Sequence, residues 1–174
     1  PLPNRHNLAD TSNFSRAYRR RLPAEVMLDA VSSLTGEPPR FSGLPAGSPA
    51  VRTWNNLLKS DFLDTFGRPD SSAETPCERD PQPSAVQALH LMNSKELHQR
   101  IAAPKSLPSK LVAGKKSPDE ITDAIYLATL SRKPTADERK TSLAYFKTEG
   151  ITPQLAAEDI LWSLLNSAEF VFNH

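Results

Sequence analysis

The stretch Thr152-Pro153-Gln154-Leu155-Ala156-Ala157-Glu158-Asp159-Ile160-Leu161-Trp162-Ser163-Leu164-Leu165-Asn166-Ser167-Ala168-Glu169-Phe170-Val171-Phe172-Asn173-His174 decides the fold class of this 174-residue chain. Thr152 caps and Pro153 starts a helix, since proline at the first helical position sacrifices no hydrogen bond. At 100° per residue, Ala157, Ile160, Leu161, Leu164, Leu165, Ala168, Val171 and Phe172 fall on one arc of about 140°. Such a stripe docks on a core, so the segment reads as the closing helix of a packed domain. Phe170 falls off the stripe and is expected to seal a loop or meet a partner.

Working outward, two further helix starts precede it. Ser117-Pro118-Asp119-Glu120 and Thr135-Ala136-Asp137-Glu138 both have the capping-box spacing, in which the hydroxyl and the carboxylate each satisfy an otherwise orphan backbone N–H. The first launches an apolar helix over Ile121–Ser131, expected to be central and buried, with Arg132 and Lys133 complementing its C-terminal dipole and Pro134 stopping it. The second runs to about Glu149, with Leu143 and Phe146 inward and Gly150 as its stop. Connections this short predict that the last three helices pack as antiparallel neighbours.

Further upstream, Pro83-Ser84 opens a helix ending near Ala103, with a short helix over Leu107–Ala113 after it. Pro23–Leu34 is a helix ended by Gly36, with Val26, Met27, Ala30, Val31 and Leu34 inward. Trp54–Phe66 is a weaker one, ended by Gly67. Ala50–Thr53 has the pattern of a brief edge strand, and Gly36–Pro49 and Arg68–Gln82 are long connections. The 16 prolines, many between Pro38 and Pro83, stiffen them. The expected fold is all-α, an irregular bundle of about six to seven helices with long Pro-rich connections, forming a single helical domain over residues 1–174.

Composition narrows function mostly by exclusion. With 21 Lys+Arg against 20 Asp+Glu, the basic excess that nucleic-acid binding requires is missing. Cys77 is the one cysteine, so neither an internal disulfide nor a thiolate metal cluster forms within the chain. No apolar run approaches the roughly 20 residues of a membrane-spanning helix. The start Pro1-Leu2-Pro3, without an initiator Met or signal-type segment, reads as a mature product or a piece of something longer. There is no Cys-x-x-Cys-His for covalent haem, no glycine-rich phosphate loop, no His-Glu-x-x-His and no Gly-x-Ser-x-Gly, and the four histidines are too scattered for a zinc site. No cofactor is expected in this segment.

The candidate site residues are Arg20, Arg21, Glu25, Glu78, Arg79, His90 and Asn93. Arg19, Arg20 and Arg21 form either an anion clamp of planar guanidinium forks or, more commonly for such a run, ion pairs with Glu25 and Asp29 that fix a helix entry. Cys77, Glu78, Arg79 and Asp80 lie in a proline-bounded loop. Nothing local supplies a base for a cysteine nucleophile, so Glu78 and Arg79 read first as ion-pairing loop anchors. His90 and Asn93 share an arc with Val86, Leu89, Leu97 and Ile101, where polar groups either hydrogen-bond a loop or line a pocket.

Arg19–Ala30, Phe66–Pro69, Cys77–Arg79, Gln87–Ser94, Leu127–Thr135 and Glu158–His174, taken in order, make the chain resemble the planctomycete cytochrome-associated C-terminal domain of unknown function. The resemblance implies a periplasmic or cell-surface location, preceding domains in the same protein as partners, and c-type haem elsewhere in the parent chain. This sequence departs from the Cys-Glu-Cys-Glu-Arg run of many such relatives: Thr75 stands where the first cysteine would fall, which argues against a two-thiol role. Three functions follow as expectations. The first is a non-catalytic accessory module that packs on preceding domains and offers a binding surface, with an extracellular glycan as one further partner. The second is part of an exported polysaccharide-acting enzyme, with Glu78, Asp80 and Glu25 as candidate acids at a domain junction. The third is a docking surface for haem electron transfer to a redox partner.

Overall fold

The computed structural model describes residues 4–10, 15, 20–53, 60–67, 84, 87 and 91–173. Within them the chain is mostly helical. A two-residue strand β1 (Arg20–Arg21) precedes α1 (Ala24–Thr35), a 3-10 turn (Ala50–Arg52) and α2 (Asp61–Thr65). Then come α3 (Lys95–Ile101), α4 (Leu107–Ala113), α5 (Pro118–Leu130), α6 (Ala136–Tyr145), α7 (Pro153–Leu165), α8 (Ala168–Val171) and the strand β2 (Phe172–Asn173).

The caps are those the sequence spells. Ser117 and Thr135 form complete capping boxes with Glu120 and Glu138, and Thr152 Oγ1 accepts from Leu155 N at 3.2 Å. Helix α5 packs against both α6 and α7, but α6 and α7, expected as neighbours from their short connection, pack little on each other. Met27, Leu28 and Val31 from α1, Leu63 and Phe66 around α2, Ile121 and Ile125 from α5, and Ala157, Leu161 and Leu165 from α7 belong to one continuous buried cluster. Burying each such aliphatic side chain contributes about 1.5–3 kcal/mol.

Several expectations are corrected. The buried face of α1 is Ala24, Met27, Leu28, Val31, Leu34 and Thr35, while Val26 is 39 % exposed. The stripe is therefore rotated from the expected one, and it carries Glu25 into the buried side. Ala50–Arg52 is not an edge strand. The Asp29 carboxylate accepts from Ala50 N at 2.6 Å and Val51 N at 3.0 Å, and those bonds hold the segment as a 3-10 turn. Of the expected helix from Ser84 to Ala103, residues 85, 86 and 88–90 lie outside the described residues, and the helical turn at 91–93 is separated from α3 by Ser94, whose ψ of 109° leaves the helix so that its hydroxyl caps α3 through Leu97 N. Helix α5 is buried on one face only, through Ile121, Thr122, Ile125 and Tyr126, with Leu127 exposed. Helix α6 ends at Tyr145, before the expected Glu149. Of the Trp54–Phe66 helix, residues 54–59 lie outside the described residues, and α2 starts at a Ser60 cap.

The closing segment is two helices rather than one. Helix α7 stops at Asn166, and Ser167 starts α8 by accepting from Phe170 N at 3.2 Å. This break turns Phe170 inward to 5 % exposure and leaves Ala168 outside. The chain then pairs Phe172 with Arg21 and Asn173 with Arg20 in an antiparallel ladder, which no alternation in the sequence announces.

Charged side chains fasten the frame. Arg139 donates to Asp119 and Asp123, joining α6 to α5. Arg100 of α3 donates to Ser32 Oγ of α1 at 2.8 Å and to the Glu37 carbonyl. Burial lowers the Arg100 pKa below the ordinary guanidinium value, against the pull of Glu96 and Glu37.

Candidate functional site

Helices α6 and α7 each pack more extensively on α5 than on one another, and a groove of about 720 Å3 opens between them. From α6 it receives Asp137, Glu138, Thr141, Ser142 and Tyr145, and from α7 Asp159, Ile160, Trp162 and Ser163. Tyr126 of α5 completes the lining. The spacing is helical on both walls: Asp137, Thr141 and Tyr145 follow at intervals of four, as do Asp159 and Ser163, so each set shares a face. Half-buried Trp162 stacks against the His98 ring of α3, the centroids 5.8 Å apart.

Among the described residues, three aromatic rings and three carboxylates line this groove, and no lysine or arginine does. Glu138 is neutralised from behind. Its carboxylate accepts two hydrogen bonds from Arg132, both 2.8 Å, and one from Thr135 N at 2.7 Å. The Arg132 bonds hold the Glu138 pKa at about 2, helped by the Thr135 backbone and hydroxyl against a smaller opposing effect of burial. Arg132 also grips Glu169 of α8, and its guanidinium lies 5.8 Å from the centroid of the Tyr126 ring. Tyr145 donates its hydroxyl to Asp159 across the groove, from α6 to α7. That bond raises the Tyr145 pKa above its ordinary value, and burial adds to it. Burial, and then Glu138, raise that of Tyr126. Asp137 and Asp159 face no basic side chain among the described residues.

The residues singled out in the sequence lie elsewhere. Exposed Arg20 pairs with Asn173 through the β1–β2 ladder. Arg21 donates to the Phe66 carbonyl at 2.7 Å and covers the Phe66 ring, so it works as a packing residue. Glu25 is 7 % exposed and engaged, which removes it as a solvent-facing acid. Asn93 is exposed rather than on the apolar arc, because the helical turn ends there and Ser94 restarts the chain. Glu78, Arg79 and His90, with Cys77, Asp80 and His174, lie outside the described residues. In the sequence the groove residues resemble an ordinary solvated helix face. The available signal was the aromatic–carboxylate repeat on two successive helices.

No group of three or more His, Cys, Asp or Glu side chains able to hold a metal ion occurs among the described residues, and none of their helices is long and apolar enough to cross a membrane. Fold and groove together define a helical domain with an aromatic, acidic surface cleft. The family model PSD1, described as protein of unknown function (DUF1553), matches residues 4–146, and the chain belongs to that family. Tyr126 and the α6 wall of the groove fall inside the matched stretch, and the α7 wall falls beyond it. No curated protein and no solved structure matches the chain.

Proposed function

We propose that this chain is a non-catalytic helical interaction module of an exported, cytochrome c-associated multidomain protein, and that it docks on the preceding domains of that protein through the groove between α6 and α7. The observation that carries the reading is the groove itself. It is a concave surface with exposed polar rims on two helices whose N-termini are capped by Thr135 and Thr152, with α6 tied to α5 by Arg139 and to the α5–α6 turn by Arg132. Rigid elements present a binding surface at little ordering cost, which is what an accessory module needs. Glu25, one of the acids on which the enzyme reading relied, is buried. The exported location and the haem-bearing neighbour rest on the ordered resemblance of six sequence segments, from Arg19–Ala30 through Glu158–His174.

The test is association in trans. The 174-residue chain is titrated against the parent protein lacking this segment, with calorimetry and size exclusion as readouts. Saturable 1:1 association is expected. Absence of association at the highest soluble concentrations overturns the reading.

A further inference from the structure

Resting on that reading, we infer that the groove between α6 and α7 seats a basic polypeptide segment, with a lysine or arginine side chain lying against Tyr145 and Trp162 and its charge met by Asp159, and a second basic side chain of the same segment met by Asp137, about two helical turns along α6 from Tyr145. Charge complementarity selects this occupant. Among the described residues the lining brings three carboxylates and no cation, in a chain whose formal net charge is +1. Glu138 is already answered by Arg132, which leaves Asp137 and Asp159 to a ligand.

The protein displays the proposed chemistry one step away. Arg132 lies over the Tyr126 ring at 5.8 Å while two carboxylates hold its guanidinium, a cation on an aromatic face with its charge paired. The open part of the groove repeats the ingredients, Tyr145 bonded to Asp159 with Trp162 beside them, without the cation. A neutral sugar would leave both aspartates unneutralised, and an anionic ligand would be repelled. Leu155, 40 % exposed and one turn before Asp159 on α7, offers an apolar flank of the kind a peptide side chain covers.

The experiment titrates the 174-residue chain with an octapeptide of alternating arginine and glycine at low salt, followed by calorimetry and by the indole NMR signal of Trp162. An octapeptide of glutamate and glycine and a neutral cello-oligosaccharide run beside it. Saturable binding of the arginine peptide alone is expected, and added salt weakens it because the partners are exposed charges. The Asp137→Asn/Asp159→Asn double variant removes both charges at nearly unchanged side-chain volume and should bind about tenfold more weakly, the order expected for losing charge-assisted contacts. Thr141→Arg, which places a guanidinium in the groove, should abolish binding with thermal unfolding unchanged. Equal binding of the acidic peptide or the oligosaccharide, unchanged affinity in the variants, or no saturable binding overturns the inference. In the trans-docking assay, wild-type association that both variants retain defeats this inference alone, whereas absence of any association defeats the module reading instead.

Discussion

Arg132 and Glu169, 37 residues apart, are joined by two hydrogen bonds, Nε to Oε1 at 2.6 Å and Nη2 to Oε2 at 2.7 Å. The same guanidinium holds Glu138, so one side chain ties the α5–α6 turn to α8 and to the strand that follows it. All three side chains are about one-third exposed, which places the network between a surface pair and a buried one. Arg132→Ala should cost about 1–2 kcal/mol, since two carboxylates are left facing each other while solvent still screens them. Urea denaturation measures it, and a loss no larger than that of Lys133→Ala would show that the network contributes nothing.

Acid should loosen the same region. Glu138 has its folded pKa depressed to about 2, chiefly by the Arg132 hydrogen bonds. A depressed carboxylate contributes stability that is complete above its unfolded value of about 4.3 and disappears as pH falls through the folded one. Unfolding free energy should therefore decline between about pH 4 and pH 2. Glu138→Gln should flatten that part of the profile, and an identical slope in the variant would refute the assignment.

Tyrosine ionisation reports on the groove directly. Tyr145 is raised by the Asp159 hydrogen bond, then by burial, and Tyr126 by burial and then Glu138. Both should ionise above about 10 in an ultraviolet titration, and Asp159→Asn should bring Tyr145 back toward that value. Since a raised tyrosine pKa favours the protonated folded state, the associated stability is present below about pH 10 and is lost above it.

Gly36 ends α1 with φ of 65°, and a Cβ there would lie 2.2 Å from the Lys105 carbonyl oxygen. At Gly47, with φ of 82°, a Cβ would meet nothing within 4 Å. Gly47→Ala should cost about 1 kcal/mol from the left-handed backbone alone. Gly36→Ala should cost clearly more, because the backbone carbonyl must also move. Thermal melts of the two variants separate the close approach from the strain they share.

Core register is tested by a pair of truncations. Leu161 is fully buried in α7, so Leu161→Ala should cost about 2–5 kcal/mol. Val26, which the sequence pattern places inward and the structure places outward, should lose less than about 0.5 kcal/mol on truncation to alanine. A large loss at Val26 would restore the sequence-based register.

The helix starts were legible because their signals are local. Ser117, Thr135 and Thr152 cap through backbone groups three residues away, so the spacing alone specifies the contact. The interruptions were less legible. Ser94 and Ser167 stop one helix and start another in segments whose apolar spacing continues across the break, and the choice between one helix and two depends on what Leu97 and Phe170 are packed against. Burial of Glu25 was likewise hidden, since a one-position rotation of α1 moves it from the polar to the apolar side.

By itself the sequence determined an all-α chain, the N-caps of its C-terminal helices and the short connection that makes α6 the neighbour of α5. Only the tertiary structure decided that α6 and α7 diverge, that Tyr145 and Asp159 meet across the gap, and that β2 returns to pair with β1. The reason is one of range. Caps and amphipathic stripes are set by residues within a turn or two, whereas a groove is defined by which helix faces fail to touch, and no local spacing encodes a contact that is absent.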